Sequence, residues 1–134
     1  MVNLGLVVAQ FNASVTERMA AAATDAANDR GVEVVDTVEV PGVYDSPLAA
    51  DRLARQESID AVAVVGAVVT GDTEHDRVIS DATAESLQSV GLDRDTPVTF
   101  GVTGPGQSGA EARERVEKGA AAVDAAVDLV EALP

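Results

Sequence analysis

The stretch Ala61-Val62-Ala63-Val64-Val65-Gly66-Ala67 (residues 61–67, AVAVVGA) decides the fold, because it is apolar at every position. A short continuous apolar run bounded by turn residues is typical of a strand that is buried on both faces. Such strands occur in parallel sheets that are covered by helices on both sides. The polar residues 70–75 follow soon after the run and include the only histidine of the chain. The run therefore predicts a central strand whose carboxyl end opens into a polar turn.

Further strands and helices alternate on either side of this run. The pattern predicts strands at 2–9, 32–40 and 97–102, and helices at 14–30, 46–57, 76–90 and 110–132. Connections from strand to helix to parallel strand are right-handed crossovers. We therefore predict a single domain over residues 1–134. It is a three-layer α/β/α fold with a four-stranded, mostly parallel sheet and a flavodoxin-like strand order.

Composition excludes several classes of function. The 134 residues contain no cysteine, which excludes disulfides, thiolate metal sites and a cysteine nucleophile. No apolar run is long enough to span a membrane and no signal peptide is recognisable, so we expect a cytoplasmic protein without a membrane partner. A net charge of −14 opposes binding to nucleic acid. Lys118 is the only lysine, and an acidic, lysine-poor surface favours a halophilic source with a salty cytoplasm.

Ligands of such sheets bind outside the carboxyl ends of the strands. The segments that follow the predicted strands are therefore the candidate site, and three of the four carry glycine or proline turns. They are Gln10-Phe11-Asn12, residues 40–47 (VPGVYDSP), residues 66–79 (GAVVTGDTEHDRVI) and Thr103-Gly104-Pro105-Gly106.

His75 is the candidate for proton transfer, because an imidazole titrates close to neutral pH. Gly71-Asp72-Thr73 precedes it and offers backbone N–H groups at a helix start, where anions bind. Asp72 and Glu74 flank the histidine, but one histidine without regular ligand spacing does not favour a metal site, and we expect none.

Four other residues have two readings each. Phe11 lies next to Asn12 in a polar loop and is a candidate platform for stacking on a flat ring. Phe100 lies within a strand, where a core position is the stronger explanation. Arg113 and Arg115 lie among glutamates, and pairing within the helix accounts for them without a ligand.

Taken together these segments resemble the 6,7-dimethyl-8-ribityllumazine synthase family of riboflavin biosynthesis, over nearly the whole chain. The bare N-terminus and the Gly-Pro-Gly after the fourth strand look most like archaeal members. The resemblance rests on Phe11-Asn12, residues 40–47, residues 66–75, Pro97-Val98-Thr99-Phe100-Gly101, Glu114-Arg115 and Lys118-Gly119.

The resemblance implies a reaction and a set of roles. Family members condense 5-amino-6-ribitylamino-uracil with 3,4-dihydroxy-2-butanone 4-phosphate and release phosphate and water, without a metal or organic cofactor. His75 would move protons, and Phe11 would stack on the pyrimidine. Phosphate would be held by Gly71, Asp72, Thr73, Arg115 and Lys118, with Arg113 as an open alternative to Arg115. The remaining substrate contacts would come from Asn12, Val43, Tyr44, Asp45, Val68, Val69 and Phe100, the last reaching into an adjoining subunit.

The resemblance also implies self-association into a pentamer, alone or assembled further into a 60-subunit shell. The last predicted helix offers a separate argument for an oligomer, because its apolar surface is wider than a monomer needs. One stripe suits packing on the sheet, and a second, rich in small residues, suits contact with another subunit. The second stripe is Gly119, Ala122, Ala126, Leu129 and Leu133.

Two other functions remain open at this stage. The archaeal-type riboflavin synthase is a sister enzyme that shares the Val-Pro-Gly turn, but we expect it to lack the stretch Gly71-Asp72-Thr73-Glu74-His75. A non-enzymatic, flavin-binding flavodoxin-like module is the other alternative. A flavodoxin needs a hydroxyl-rich phosphate loop after the first strand, where this chain has Gln10-Phe11.

Overall fold

Four strands form one parallel sheet. The computed structural model describes residues 2–71 and 75–134. The strands are β1 (Asn3–Ala9), β2 (Glu33–Val40), β3 (Ala61–Ala67) and β4 (Val98–Thr103). Their order in the sheet is β2-β1-β3-β4, and each neighbouring pair is parallel. Because the chain leaves β1 toward one edge and returns to the other side at β3, the topological switch point lies between β1 and β3.

Helices cover both faces of the sheet. They are α1 (Ala13–Asp29), α2 (Ser46–Ala54), α3 (His75–Arg94), α4 (Gly109–Arg113) and α5 (Lys118–Ala132), with a 3-10 helix at Val43–Asp45. Helices α1 and α5 pack on one face, and α2 and α3 pack on the other. The three-layer α/β/α fold with flavodoxin-like order is thereby confirmed. No helix within 2–71 and 75–134 combines the length and apolarity needed to cross a membrane.

The core consists mainly of valine, alanine and leucine. Every residue of β3 is buried, as its continuous apolar sequence predicts. Alternate residues of the sheet serve the two faces: Leu6 and Val65 pack toward α1 and α5, whereas Val64 packs toward α2 and α3. Small residues let the layers come close, since a Cβ on Gly101 would lie 2.6 Å from the Cβ of Ala122.

Helix α3 continues past Gly91, where the sequence predicted its end, and stops at Arg94. The left-handed residue after the helix is Asp95, with φ of 53°. The N–H of Thr96 then donates to the Gly91 carbonyl at 3.0 Å, which is the long hydrogen bond of a Schellman motif. Gly91 therefore lies inside the last turn, where its carbonyl is capped, and the predicted helix end at residue 90 was wrong.

The last predicted helix is two helices rather than one. Helix α4 ends at Arg113, and a stretch of turn at residues 114–117 separates it from α5. This break redirects the chain so that α5 packs on β3, β4 and α1.

The predicted second stripe of α5 is largely buried inside its own chain. Gly119, Ala122 and Ala126 are all buried, and a Cβ on Gly119 would collide with the carbonyl oxygen of Met19 in α1. The Ala122 carbonyl also accepts from the Thr99 hydroxyl at 2.8 Å. Only Leu129 and Leu133 of the stripe remain exposed. The small residues therefore serve close packing on α1 and the sheet, and the prediction that they face another subunit was wrong.

Candidate functional site

A cavity of about 360 Å³, here called cavity A, opens at the carboxyl ends of β1 and β3. It lies at the switch point of the sheet, the position that ligands occupy in open parallel sheets. Three segments that follow strands line it, together with the first turns of α3. The lining residues are Phe11, Asn12, Gly42, Val43, Tyr44, Ala67, Val68, Val69, Gly71, His75, Asp76 and Ile79.

Hydrogen bonds and close packing fix the floor of cavity A. Asn12 adopts a left-handed conformation with φ of 67°, and its side-chain amide donates to the Ala67 carbonyl at 3.1 Å. This bond joins the loop after β1 to the end of β3. Val43 packs directly above Gly66, where a Cβ would come within 2.6 Å of a Val43 methyl group. Gly66 therefore lets the segment after β2 pack against the end of β3, where it lines the cavity.

Two aromatic side chains stand at the cavity and remain largely exposed. Phe11 is 72% and Tyr44 is 67% exposed, although aromatic rings normally gain from burial. The chain has only three aromatic residues, so two of them lie here. Exposed rings beside an apolar cavity are suited to stack on a flat heterocycle.

His75 is the first residue of α3 and lines cavity A, as the sequence predicted for a residue after β3. Its neighbour Asp76 is buried and holds the helix start in place. The Asp76 Oδ2 accepts from the Gly106 N–H at 3.0 Å and from the Thr70 hydroxyl at 3.3 Å. These hydrogen bonds, with that of Gly106 as the largest cause, lower the pKa of Asp76 below its ordinary value. Asp76 thereby anchors His75 between the loops that follow β3 and β4.

The lowered pKa of Asp76 predicts a dependence of stability on pH. A carboxyl whose pKa is depressed by folding stabilises the protein above its unfolded pKa of about 3.9, and this stabilisation is lost as the pH falls further. Asp76→Asn should therefore melt below the wild type at pH 7, and the difference in Tm should shrink as the solution is acidified. Scanning calorimetry along a pH series measures this. Asp81→Asn, at an exposed site on α3, is the control; a difference for Asp76→Asn that stays constant in acid contradicts the prediction.

A second cavity, cavity B, measures about 490 Å³ and lies beside the carboxyl end of β4, an edge strand. It holds two basic side chains, Arg115 and Lys118. Arg115 also pairs with Glu111 one helical turn earlier, at 3.5 Å, with both side chains half exposed. A pair of this kind contributes only tenths of a kcal/mol, so it leaves the guanidinium able to bind an anion. The other lining residues are Val102, Thr103, Gly104, Glu117 and Ala121.

Gln107 connects the two cavities. Its side-chain oxygen accepts from Arg115 Nη1 at 2.8 Å, and its side-chain nitrogen donates to the Val68 carbonyl and to the Thr103 hydroxyl. Its own carbonyl accepts from the Thr70 N–H at 2.8 Å. Val68 lines cavity A and Arg115 lines cavity B, so the buried Gln107 side chain bonds to one residue of each cavity.

Cavity A includes most, but not all, of the predicted site. Asp45 turns back on its own segment, where its Oδ2 accepts from the Gly42 N–H at 3.0 Å, and it lines a separate groove. Phe100 lines neither cavity; it is half-buried on β4 and packs against the core on the α2 and α3 side of the sheet. Arg113 lines neither cavity A nor cavity B, which favours Arg115 as the anion-binding arginine. The predicted Asp72 and Thr73 lie outside the described residues.

Sequence reasoning missed Asp76 and Gln107. Asp76 had a recognisable signal, since an acidic residue in the first turn of a helix can bond to backbone N–H groups. Gln107 had none, because its partners are far apart in the chain. In the described part of the chain, no group of three histidine or acidic side chains is placed to hold a metal ion.

Comparison with known proteins gives matches to one family over nearly the whole chain. Residues 1–133 match the family described as 6,7-dimethyl-8-ribityllumazine synthase. The chain is 71% identical to the protein of that name from Halobacterium salinarum, over 99% of this chain and 100% of the relative. It is 70% identical to the one from Halorubrum lacusprofundi, over 99% of each chain. It is 42% identical to the one from Methanocaldococcus jannaschii, over 99% of this chain and 94% of the relative.

Proposed function

The chain belongs to the 6,7-dimethyl-8-ribityllumazine synthase family, and from this premise we propose how its two cavities catalyse the family's reaction. The protein is a transferase of riboflavin biosynthesis that condenses 5-amino-6-ribitylamino-uracil with 3,4-dihydroxy-2-butanone 4-phosphate. The whole chain, as one domain in the cytoplasm, carries this activity. The relatives are named as lumazine synthases, which supports this enzyme over a riboflavin synthase or a non-enzymatic flavin-binding module.

Cavity A binds the pyrimidine. Its apolar walls and its exposed aromatic rings favour a flat heterocycle, with Phe11 stacking on the ring. Val68 and Val69 contact the uracil, and Asn12, Val43 and Tyr44 bind the ring edge or the ribityl chain. The Asn12 side-chain nitrogen already bonds to Ala67, so its substrate contact comes from its other polar atoms.

His75 moves the protons of the reaction. The amine of the pyrimidine forms an imine with the ketone and releases water. Loss of phosphate then leaves an enol, which becomes a carbonyl. The second nitrogen attacks this carbonyl and closes the ring with loss of a second water. Each of these steps gains or loses a proton at the substrate, and an imidazole can serve in both directions near neutral pH. The position of His75 at the start of α3, on the wall of cavity A, supports this role.

The phosphate lies between the donors of cavity A and the basic side chains of cavity B. Among the described residues, no arginine or lysine lines cavity A, yet a phosphate ester needs cationic or N–H donors. Arg115 and Lys118 supply the cations, while backbone N–H groups of Gly71, Asp72 and Thr73 supply donors beside His75.

We place the two halves of the site on two copies of the chain. Cavity B lies beside the edge strand β4, so a neighbouring copy can bring its Arg115, Lys118 and Phe100 against cavity A. Closed rings arise when the same two different surfaces meet in each copy. Such a ring agrees with a pentamer, alone or as the unit of a 60-subunit shell.

A spectroscopic assay tests the activity. Mixing the protein with both substrates should produce the yellow lumazine and one phosphate for each product molecule. Because the condensation also proceeds slowly unaided, a sample without protein is the required control. Phosphate release and colour that match this control contradict the proposed function.

The acidic surface adapts the protein to high salt. The net charge is −14, and the similar chains come from Halobacterium salinarum and Halorubrum lacusprofundi, among others. Arg30 illustrates the imbalance, because one guanidinium faces three carboxylates, those of Asp124, Asp128 and Glu131, at 2.8–3.3 Å. The remaining acidic groups repel one another unless dissolved ions screen them.

We therefore expect the Tm to rise steeply between about 0.1 M and 1 M KCl, where the Debye length falls from about 10 Å to about 3 Å. Calorimetry across this range measures the effect. Sucrose at matched osmolality is the control, since it stabilises proteins without screening charge. A Tm that is flat in KCl, or that rises equally in sucrose, contradicts the adaptation.

A further inference from the structure

The Gln107 side chain makes three hydrogen bonds, although it lies in a glycine-rich loop. It is 1% exposed and uses both ends of its amide. A buried amide is costly unless it is hydrogen-bonded. Three partners on three segments satisfy it: Val68 after β3, Thr103 at the end of β4, and Arg115 after α4.

The partners allow only one orientation of the amide. The guanidinium of Arg115 can only donate, so it requires the oxygen of Gln107. The carbonyl of Val68 can only accept, so it requires the nitrogen. In a flipped amide, the Gln107 oxygen would face the Val68 carbonyl oxygen, and the Gln107 nitrogen would face Arg115 Nη1. The Gln107 oxygen therefore has a fixed position. The hydrogen bond that it accepts from Nη1 restrains the Arg115 guanidinium.

The loop that carries Gln107 is itself fixed against the end of β3. Thr70 donates its N–H to the Gln107 carbonyl at 2.8 Å, and Val68 donates its N–H to the Thr103 carbonyl at 2.9 Å. A Cβ on Gly104 would collide with the Val68 carbonyl, so the two loops lie as close as a glycine permits. Arg115, in contrast, is half exposed and has a long side chain that loses entropy when it is held still.

From these contacts we propose that Gln107 is a positioning residue that holds the Arg115 guanidinium in the orientation needed to bind the substrate phosphate. The inference rests on the proposed function, in which Arg115 binds that phosphate. A guanidinium that is held before the substrate arrives binds with less loss of entropy than a mobile one. Gln107 touches no substrate atom in this account and acts only through Arg115.

The test compares Michaelis constants for the two substrates. Gln107→Met keeps the volume of the side chain but removes both polar ends. It should raise the KM for the butanone phosphate about 3- to 10-fold, as expected for one lost hydrogen bond, and change the KM for the pyrimidine less than about twofold. In an Arg115→Ala background the same substitution should add nothing to the KM, because its target is gone.

A second variant keeps the proposal testable if Gln107→Met fails to fold. Thr103→Val removes one partner of the Gln107 nitrogen and should raise the same KM about twofold. Thr99→Val is the matched control, since Thr99 is a buried threonine of the same strand whose hydroxyl donates to the Ala122 carbonyl, away from Gln107. It should leave both Michaelis constants unchanged.

The outcomes separate this inference from the function on which it rests. If Arg115→Ala leaves the KM for the butanone phosphate unchanged, the phosphate role of Arg115 fails and the inference fails with it. If Arg115→Ala raises that KM but Gln107→Met does not, or raises it equally with and without Arg115, only the positioning role is overturned. Equal effects of Thr103→Val and Thr99→Val also overturn it.

Discussion

Arg115→Ala should raise the KM for 3,4-dihydroxy-2-butanone 4-phosphate by about 10- to 100-fold, the loss expected when one charged hydrogen-bonding partner of an anion is removed. The KM for the pyrimidine should change far less, because Arg115 lines cavity B and the pyrimidine occupies cavity A. Steady-state kinetics with each substrate varied in turn measure both constants.

Two further substitutions sharpen this prediction. Arg115→Lys should recover only part of the loss, because an ammonium group cannot form the paired hydrogen bonds of a guanidinium. Arg113→Ala is the matched control, since Arg113 lies two residues away and lines neither cavity. Equal losses for the two substrates, or a larger effect from Arg113→Ala, would move the phosphate site elsewhere.

His75→Ala should lower kcat by about tenfold or more with the fold unchanged. General acid–base groups contribute about 100- to 10,000-fold in typical enzymes. The expected loss is at the low end because the condensation proceeds slowly unaided, so that holding the two substrates together supplies part of the acceleration. Single-turnover absorbance at saturating substrate measures the rate of the chemical steps.

The histidine prediction needs its own control for helix packing. Arg77→Ala changes an exposed residue of the same first turn of α3, and it should leave kcat near the wild-type value if only the imidazole matters. A wild-type rate in His75→Ala, or an equal loss in Arg77→Ala, would refute proton transfer by His75.

Much of the fold follows from the sequence, because short-range patterns carry it. The continuous apolar run of β3 and the turns that follow each strand predict the layers and the edge where the site lies. Phe11 and His75 were predicted at that edge and both line cavity A. Each was recognisable because it follows a strand directly in the chain.

The features that the sequence could not show depend on contacts between residues that are far apart in the chain. The apolar width of α5 does not reveal what covers it, and its small residues turn out to pack on α1 and the sheet. Asp45 lies in a turn that its own carboxylate closes, a local bond that competes with any ligand. Gln107 gains its importance only when β3, β4 and the segment after α4 come together.

Co-assembly of two inactive variants tests most directly whether one active site is built from two copies. Phe11→Ala/His75→Ala disables cavity A but leaves cavity B intact, and Arg115→Ala does the reverse. The two chains are mixed in equal amounts, unfolded and refolded together, and the product is measured at low butanone phosphate. Each variant refolded alone gives the baseline.

If cavity A of one copy works with cavity B of the next, random mixing gives both intact halves at about a quarter of the sites, so the mixture should recover up to about a quarter of the wild-type rate. If each site lies within a single chain, every site carries a defect. A mixed assembly, verified by light scattering, whose rate is only the average of the two variants would contradict the shared site.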